Sequence, residues 1–270
     1  MVRSPQPQAQ PQVNVLEVGN VAFFYRPKQA VLHPTNRDDL ERVYFMLFPD
    51  DQQHHWNRLF TVAHGVFPTI VPGEALPEER VWAFSDDVSH DPRALIDALE
   101  KNIPAPPEPS GQRARPYARL AGDGRYAIAR HEDHTHLAYR LHQPRHLGQV
   151  QQDLEIKAEA SYILSVKEPF APSEITLAEK PSYPESLRRK FDGLSFIAAD
   201  PTNFLDYRRT QILLIGASSD IKADLGITIK PDLENPAEQQ ALQMLRQEAA
   251  QAQATWHVDI LAPALTGKWE

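Results

Sequence analysis

A chain of 270 residues with 41% hydrophobic content can bury one large core or two modest ones, which excludes wholesale disorder. Its net charge is −8, and its densest basic clusters are only Arg113, Arg115, Arg119 and Arg188, Arg189, Lys190, so no nucleic-acid partner is expected. The absence of cysteine removes disulfides, thiolate nucleophiles, iron–sulfur clusters and cysteine-type zinc sites together.

Residues 1–12, rich in Pro and Gln, read as a disordered tail without the apolar stretch of a secretory signal. No apolar run approaches membrane-spanning length, so a cytoplasmic protein with no membrane partner is expected. A β-rich first lobe then spans 13–102. Its strands are marked by the β-branched and aromatic runs Val21–Tyr25, Val43–Phe48, Leu59–Val62 and Val81–Phe84. Asp91-Pro92 opens a helix: Asp91 is suited to cap it, Pro92 fits its first position, and Leu95, Ile96 and Leu99 share a face. Asp86 and Asp87, just before it, are expected to end the preceding strand rather than to act as an acid–base pair.

The prolines and glycine of 103–116 mark a linker or long loop. Beyond it, 117–270 reads as an α+β second lobe, either separate from the first or part of one domain with it. A β-hairpin over Gly124–His142 comes first, then a short helix over Gly148–Leu154 and a strand at Ser161–Val166. A second proline-rich crossing runs from Pro169 to Pro184, followed by a buried strand at Gln211–Ile215. Asn235-Pro236 begins the longest helix, with Leu242, Met244 and Leu245 as its large apolar anchors. The resulting fold class is α+β, a mixed and largely antiparallel sheet with at least two packed helices and proline-rich loops.

Chemistry concentrates in the hairpin. With Glu132 and Asp133 at the tip, His131 faces His134, Ala129 faces His136, Ile128 faces Leu137 and Tyr126 faces Tyr139. Period-two alternation then gives a core face of Tyr126, Ile128, Leu137, Tyr139 and Leu141. The opposite face carries His131, His134, His136 and His142 beside Ala127, Ala129 and Ala138. Imidazole is the commonest metal ligand, so His131, His134 and His136 are the candidate metal ligands for a divalent cation, with an acid supplied from elsewhere. An ordinary polar sheet face would show the same pattern.

Other motifs are incomplete. Ile212–Ile221 resembles the nucleotide-binding turn of short-chain dehydrogenases, but Asp220 and Lys222 stand where further glycines are needed, so Gly216 is read as a turn at a strand end. Ser218 or Ser219 with Asp206 and a distant histidine makes only a notional triad. His54, His55 and His64 are expected to be solvated loop histidines.

The segments Phe23-Phe24-Tyr25-Arg26-Pro27-Lys28, His134-Thr135-His136-Leu137-Ala138-Tyr139 and Gly267-Lys268-Trp269-Glu270 resemble those of a family of uncharacterised bacterial proteins. The resemblance covers most of the chain after the tail and implies a folded hairpin domain, with no activity attached. Three functions are therefore expected in order. The first is a non-enzymatic interaction or scaffold protein, with a protein partner or self-association and no cofactor. The second is a metal-dependent hydrolase or oxygenase using His131, His134 and His136. The third is a small-ligand module using the alanine-floored face.

Overall fold

A computed structural model describes residues 13–29, 31–71, 80–101, 117–172, 177–230, 236–256 and 259–269. In chain order the elements are β1 (Asn14–Pro27), β2 (Leu40–Pro49), β3 (Asn57–Val62), β4 (Arg80–Ser89), α1 (Pro92–Lys101), β5 (Arg119–His131) and β6 (His134–Gln143). They continue with α2 (Gln149–Asp153), β7 (Glu159–Lys167), α3 (Glu185–Arg188), β8 (Phe196–Ala198), β9 (Gln211–Ser218), α4 (Ile221–Leu225), α5 (Pro236–Trp256) and α6 (Ala262–Thr266).

The strands run β6-β5-β1-β2-β3-β4-β9-β7, and β7 pairs back onto β6, so eight antiparallel strands close a barrel. β8 adds to β7 where β6 stops. A barrel of this size is just wide enough for side chains to fill. Phe23, Phe45, Phe60, Tyr139 and Tyr162 do so, with Phe45 stacked on Phe60 at 4.8 Å between ring centroids.

The outer surface is covered unevenly. Over β1, β2 and β3, the outward Phe24, Tyr44, Met46 and Leu59 are buried under Leu95, Ile96 and Leu99 of α1 and Ala237, Ala241 and Leu245 of α5. These strands are apolar on both faces, which is why Phe23–Tyr25 and Val43–Phe48 appear as unbroken apolar runs. The α1 helix begins as expected, with the Asp91 side chain accepting the Arg93 N–H at 2.9 Å.

The fold is mainly β, which corrects the α+β expectation of a mixed sheet. Short apolar kernels mark where strands are, but not how far they run. β1 extends over 14 residues and β5 over 13, well beyond their kernels, because ladder pairing carries polar residues and glycines along. Closure depends on the β4–β9 and β6–β7 pairings, which leave no local pattern. Strands from both sides of residues 103–116, themselves outside the described residues, build this one barrel: β1 lies between β2 and β5.

Two finer expectations also change. β4 does not end at Asp86 and Asp87 but continues to Ser89, with Asp86 falling at an irregularity in its pairing with β3 and accepting a hydrogen bond from Thr61. Gly216 is not a turn but lies inside β9, where the Thr69 carbonyl crosses so closely that a Cβ would stand 2.3 Å from it.

Both barrel mouths are plugged. At one, Phe67, Val150 of α2 and Leu154 just after it enter the core, and Trp269 rests on Tyr25 with 5.2 Å between ring centroids. At the other, Phe204 and Leu205 seal the core above a buried ionic network. Arg58 is fully buried, donating to Glu17 at 2.6 and 3.0 Å and to Asp206 at 2.8 Å. The Tyr126 hydroxyl donates to Glu17 at 2.6 Å. His55 is not a solvated loop histidine: it lies 3.2 Å from Asp206. Asp206 is thereby committed to this network, while Ser218 Oγ bonds the backbone of Asp220, so the notional triad does not assemble.

Candidate metal centre

The histidine hairpin forms the end of the β5–β6 pair beside this second mouth. Its register is His131↔His134, Ala129↔His136, Ile128↔Leu137 and Tyr126↔Tyr139, and Glu132 at the tip takes a left-handed conformation with φ 55°. That φ is why a Glu-Asp pair can turn here at all, at the cost of some strain. Tyr126, Ile128, Leu137, Tyr139 and Leu141 point into the barrel, so the three histidines share the outer face.

His134 and His136 are two residues apart on one strand face, and His131 stands opposite His134, so the rings form a triangle. Ring centroids lie 4.9 Å apart for His134–His136 and 5.8 Å for each of the other two pairs. One nitrogen from each ring falls within 4.8 Å of the other two, so the cluster can hold a metal ion. A tetrahedral metal with bonds of about 2.0–2.1 Å holds its ligands about 3.3 Å apart, so small ring rotations close the set. Of the three, His136 is almost sealed at 3% side-chain exposure, while His134 is 33% exposed.

The cluster has an outer layer. His136 Nδ1 sits 2.7 Å from Ser161 Oγ on β7 and 3.5 Å from Asp224 Oδ2 on α4. The tautomer whose Nδ1–H donates to Ser161 leaves the Nε2 lone pair for a metal, the usual way an outer hydroxyl or carboxylate fixes a ligating imidazole. His134 Nδ1 bonds Asp133 at 2.9 Å, which again leaves Nε2. The Nε2 atoms of His131 and His136 are buried without a hydrogen-bond partner. Burial holds the His136 imidazole down to about 4, with Asp224 opposing the shift and the neighbouring His134 and His131 adding to it, so it is neutral near pH 7.

The alanine-floored surface is not open. Ile221 and Leu225 of α4 pack on Ala138, with Ile227, Ile229 and Val13 against them. The Asp220 side chain caps α4 by accepting from Ala223 N–H at 2.9 Å, and that cap sets where Asp224 falls. The structure thus brings together all three histidines singled out by sequence and leaves His142 apart, 3.6 Å from Asp123. Sequence reasoning required an acid from elsewhere without being able to name it. Neither Ser161 nor Asp224 carries a spacing signal, because each arrives through long-range packing.

Two cavities flank the triad. One of about 390 Å³ is lined by Val13, His131, Lys222 and Asp224. The other, about 650 Å³, runs past His134 over the paired β7 and β8. Among the described residues no helix is long and apolar enough to cross a membrane. Comparisons with protein-family models, curated proteins and solved structures find no match to this chain.

Proposed function

We propose that this protein binds a divalent transition metal through His131, His134 and His136 and keeps one coordination position open, a centre suited to metal-assisted hydrolysis. The observation that carries this reading is the pair of buried, unpartnered Nε2 atoms on His131 and His136 within a converging triad. A buried polar nitrogen without a partner costs about 1–3 kcal/mol, and a shared metal ion would satisfy both at once.

Three neutral imidazoles plus water are a catalytic rather than a closed structural zinc set. Non-haem iron oxygenases instead use two histidines and a carboxylate. Asp224 Oδ2 lies 3.5 Å from His136 Nδ1 and is not among the converging ligand atoms, which are those of the three histidines, and this favours the three-nitrogen set and hydrolysis over oxygenation. The test is elemental analysis of untagged protein after supplementation with zinc, iron and manganese, alongside chelator-sensitive hydrolysis of para-nitrophenyl acetate. Stoichiometric metal that is lost on His134→Ala and His136→Ala supports the reading. Metal-free protein under all three supplements refutes it.

A second reading, a protein-interaction module, is favoured by Phe170 and Leu194, which stand 73% and 59% exposed along one cavity. Pull-down and size-exclusion experiments giving a strictly monomeric, partnerless protein would remove it.

A further inference from the structure

An exchangeable ligand reaches the metal where the triad is open to solvent. The Nε2 atoms of His131 and His136 are sealed from solvent, whereas the His134 ring is a third exposed. The smaller cavity borders the His131 ring but leaves its Nε2 buried, so the open side of the triad is the His134 side, and His134 lines the groove of about 650 Å³ over the paired β7 and β8. That volume is in the range of small-molecule sites.

The groove has a consistent chemistry. Its apolar wall is Ile163, Leu194, Phe196 and Ile197, with Leu194 59% and Phe196 37% exposed. The Phe196 ring is propped from behind by Trp82, 5.7 Å away between centroids. Of its charges, Arg130 is paired with Asp200 at 2.6 Å, while the exposed Asp133 carboxylate accepts from His134 Nδ1 at 2.9 Å and keeps its charge. Lys190 lines the same groove and has no carboxylate partner among the described residues. Three neutral imidazole ligands leave the charge of a divalent metal offset only in part, by the Asp133 carboxylate behind His134. A groove with a metal, a free ammonium and an apolar wall selects an anion that carries an apolar body.

Resting on the metal reading above, we propose that this groove binds an apolar carboxylic acid, its carboxylate taking the open metal position near Lys190 and its hydrocarbon lying on Leu194 and Phe196. Phenylbutyrate is a suitable probe, with acetate as the headgroup alone and inorganic phosphate as an anion without a body. The protein is loaded with cobalt(II), whose visible bands report the ligand set directly.

Phenylbutyrate is expected to shift those bands at a concentration about tenfold below acetate, the gain from covering roughly 60 Å² of apolar surface. Phe196→Ser should erase the advantage over acetate while leaving the cobalt bands in place. Lys190→Glu, a change at an exposed position, should weaken phenylbutyrate and acetate alike. Absence of cobalt bands would overturn the metal site and this inference with it. Stoichiometric bands that phenylbutyrate moves no better than acetate or phosphate would overturn the groove alone.

Discussion

Ser161→Ala tests whether the layer behind the histidines tunes a metal site or merely fills space. The mutation deletes the oxygen 2.7 Å from His136 Nδ1 and leaves all three ligands in place. Loss of such an outer partner weakens metal binding by about 10–100-fold, or about 1.4–2.8 kcal/mol. The geometry places this case near the lower figure. Asp224 Oδ2 lies 3.5 Å from the same nitrogen, beyond normal hydrogen-bond length, but a small shift of α4 would let it take over. Adding Asp224→Asn should then carry the loss toward the upper figure.

The fold should tolerate the change, since Ser161 keeps its ladder partners Ala138 and Ser218 and loses only a hydroxyl, worth about 1 kcal/mol. Affinity is read by competition with a chromophoric chelator, with circular dichroism as the control for folding. The reasoning is refuted if Ser161→Ala binds within about twofold of the unmodified protein while His136→Ala abolishes binding.

The plugged mouths give further tests. Arg58→Met leaves Glu17 and Asp206 buried without their guanidinium and should cost about 3–5 kcal/mol in urea unfolding, much of it recovered by adding Glu17→Leu; a loss below about 1 kcal/mol would contradict the buried network. His55 is raised above its ordinary value, chiefly by its hydrogen bond to Asp206 with Glu17 adding to it, against the effects of burial and Arg58. Its contribution is therefore complete below the unfolded value of about 6.5 and is lost as pH rises through the folded one. The stability gap between the unmodified protein and His55→Gln should accordingly shrink from pH 5.5 to 8.5 (roughly the window around that value), and a gap independent of pH would refute it. Trp269→Ala removes the ring on Tyr25 and the 2.9 Å bond from Nε1 to Asp153, for an expected loss of about 1–3 kcal/mol by thermal melting. Glu132→Gly relieves the left-handed tip and should stabilise the hairpin by up to about 1 kcal/mol, read by the same melt.

Much of the hairpin is legible in the sequence. Strict alternation from Tyr126 to Tyr139 fixes which residues face the core, because a one-residue slip would turn Ile128 and Leu137 outward and His136 inward. The triangle of His131, His134 and His136 follows from that register alone. The α1 start at Asp91-Pro92 was legible for the same local reason, since a cap acts within one turn.

What only the tertiary structure decided is everything joined over long sequence distance. Barrel closure joins β9 to β4 and β6 to β7, and no local periodicity distinguishes an edge strand from one that meets a distant partner. Ser161 and Asp224 reach His136 because β7 pairs with β6 and α4 packs over Ala138. His55 looked like a loop residue because its partners, Glu17 and Asp206, lie 38 and 151 positions away along the chain. The sequence by itself determined which nitrogens could gather, through the two-residue period of the strand. The tertiary structure decided what stands behind them and from which side they can be reached, because burial and charge pairing are properties of the closed barrel.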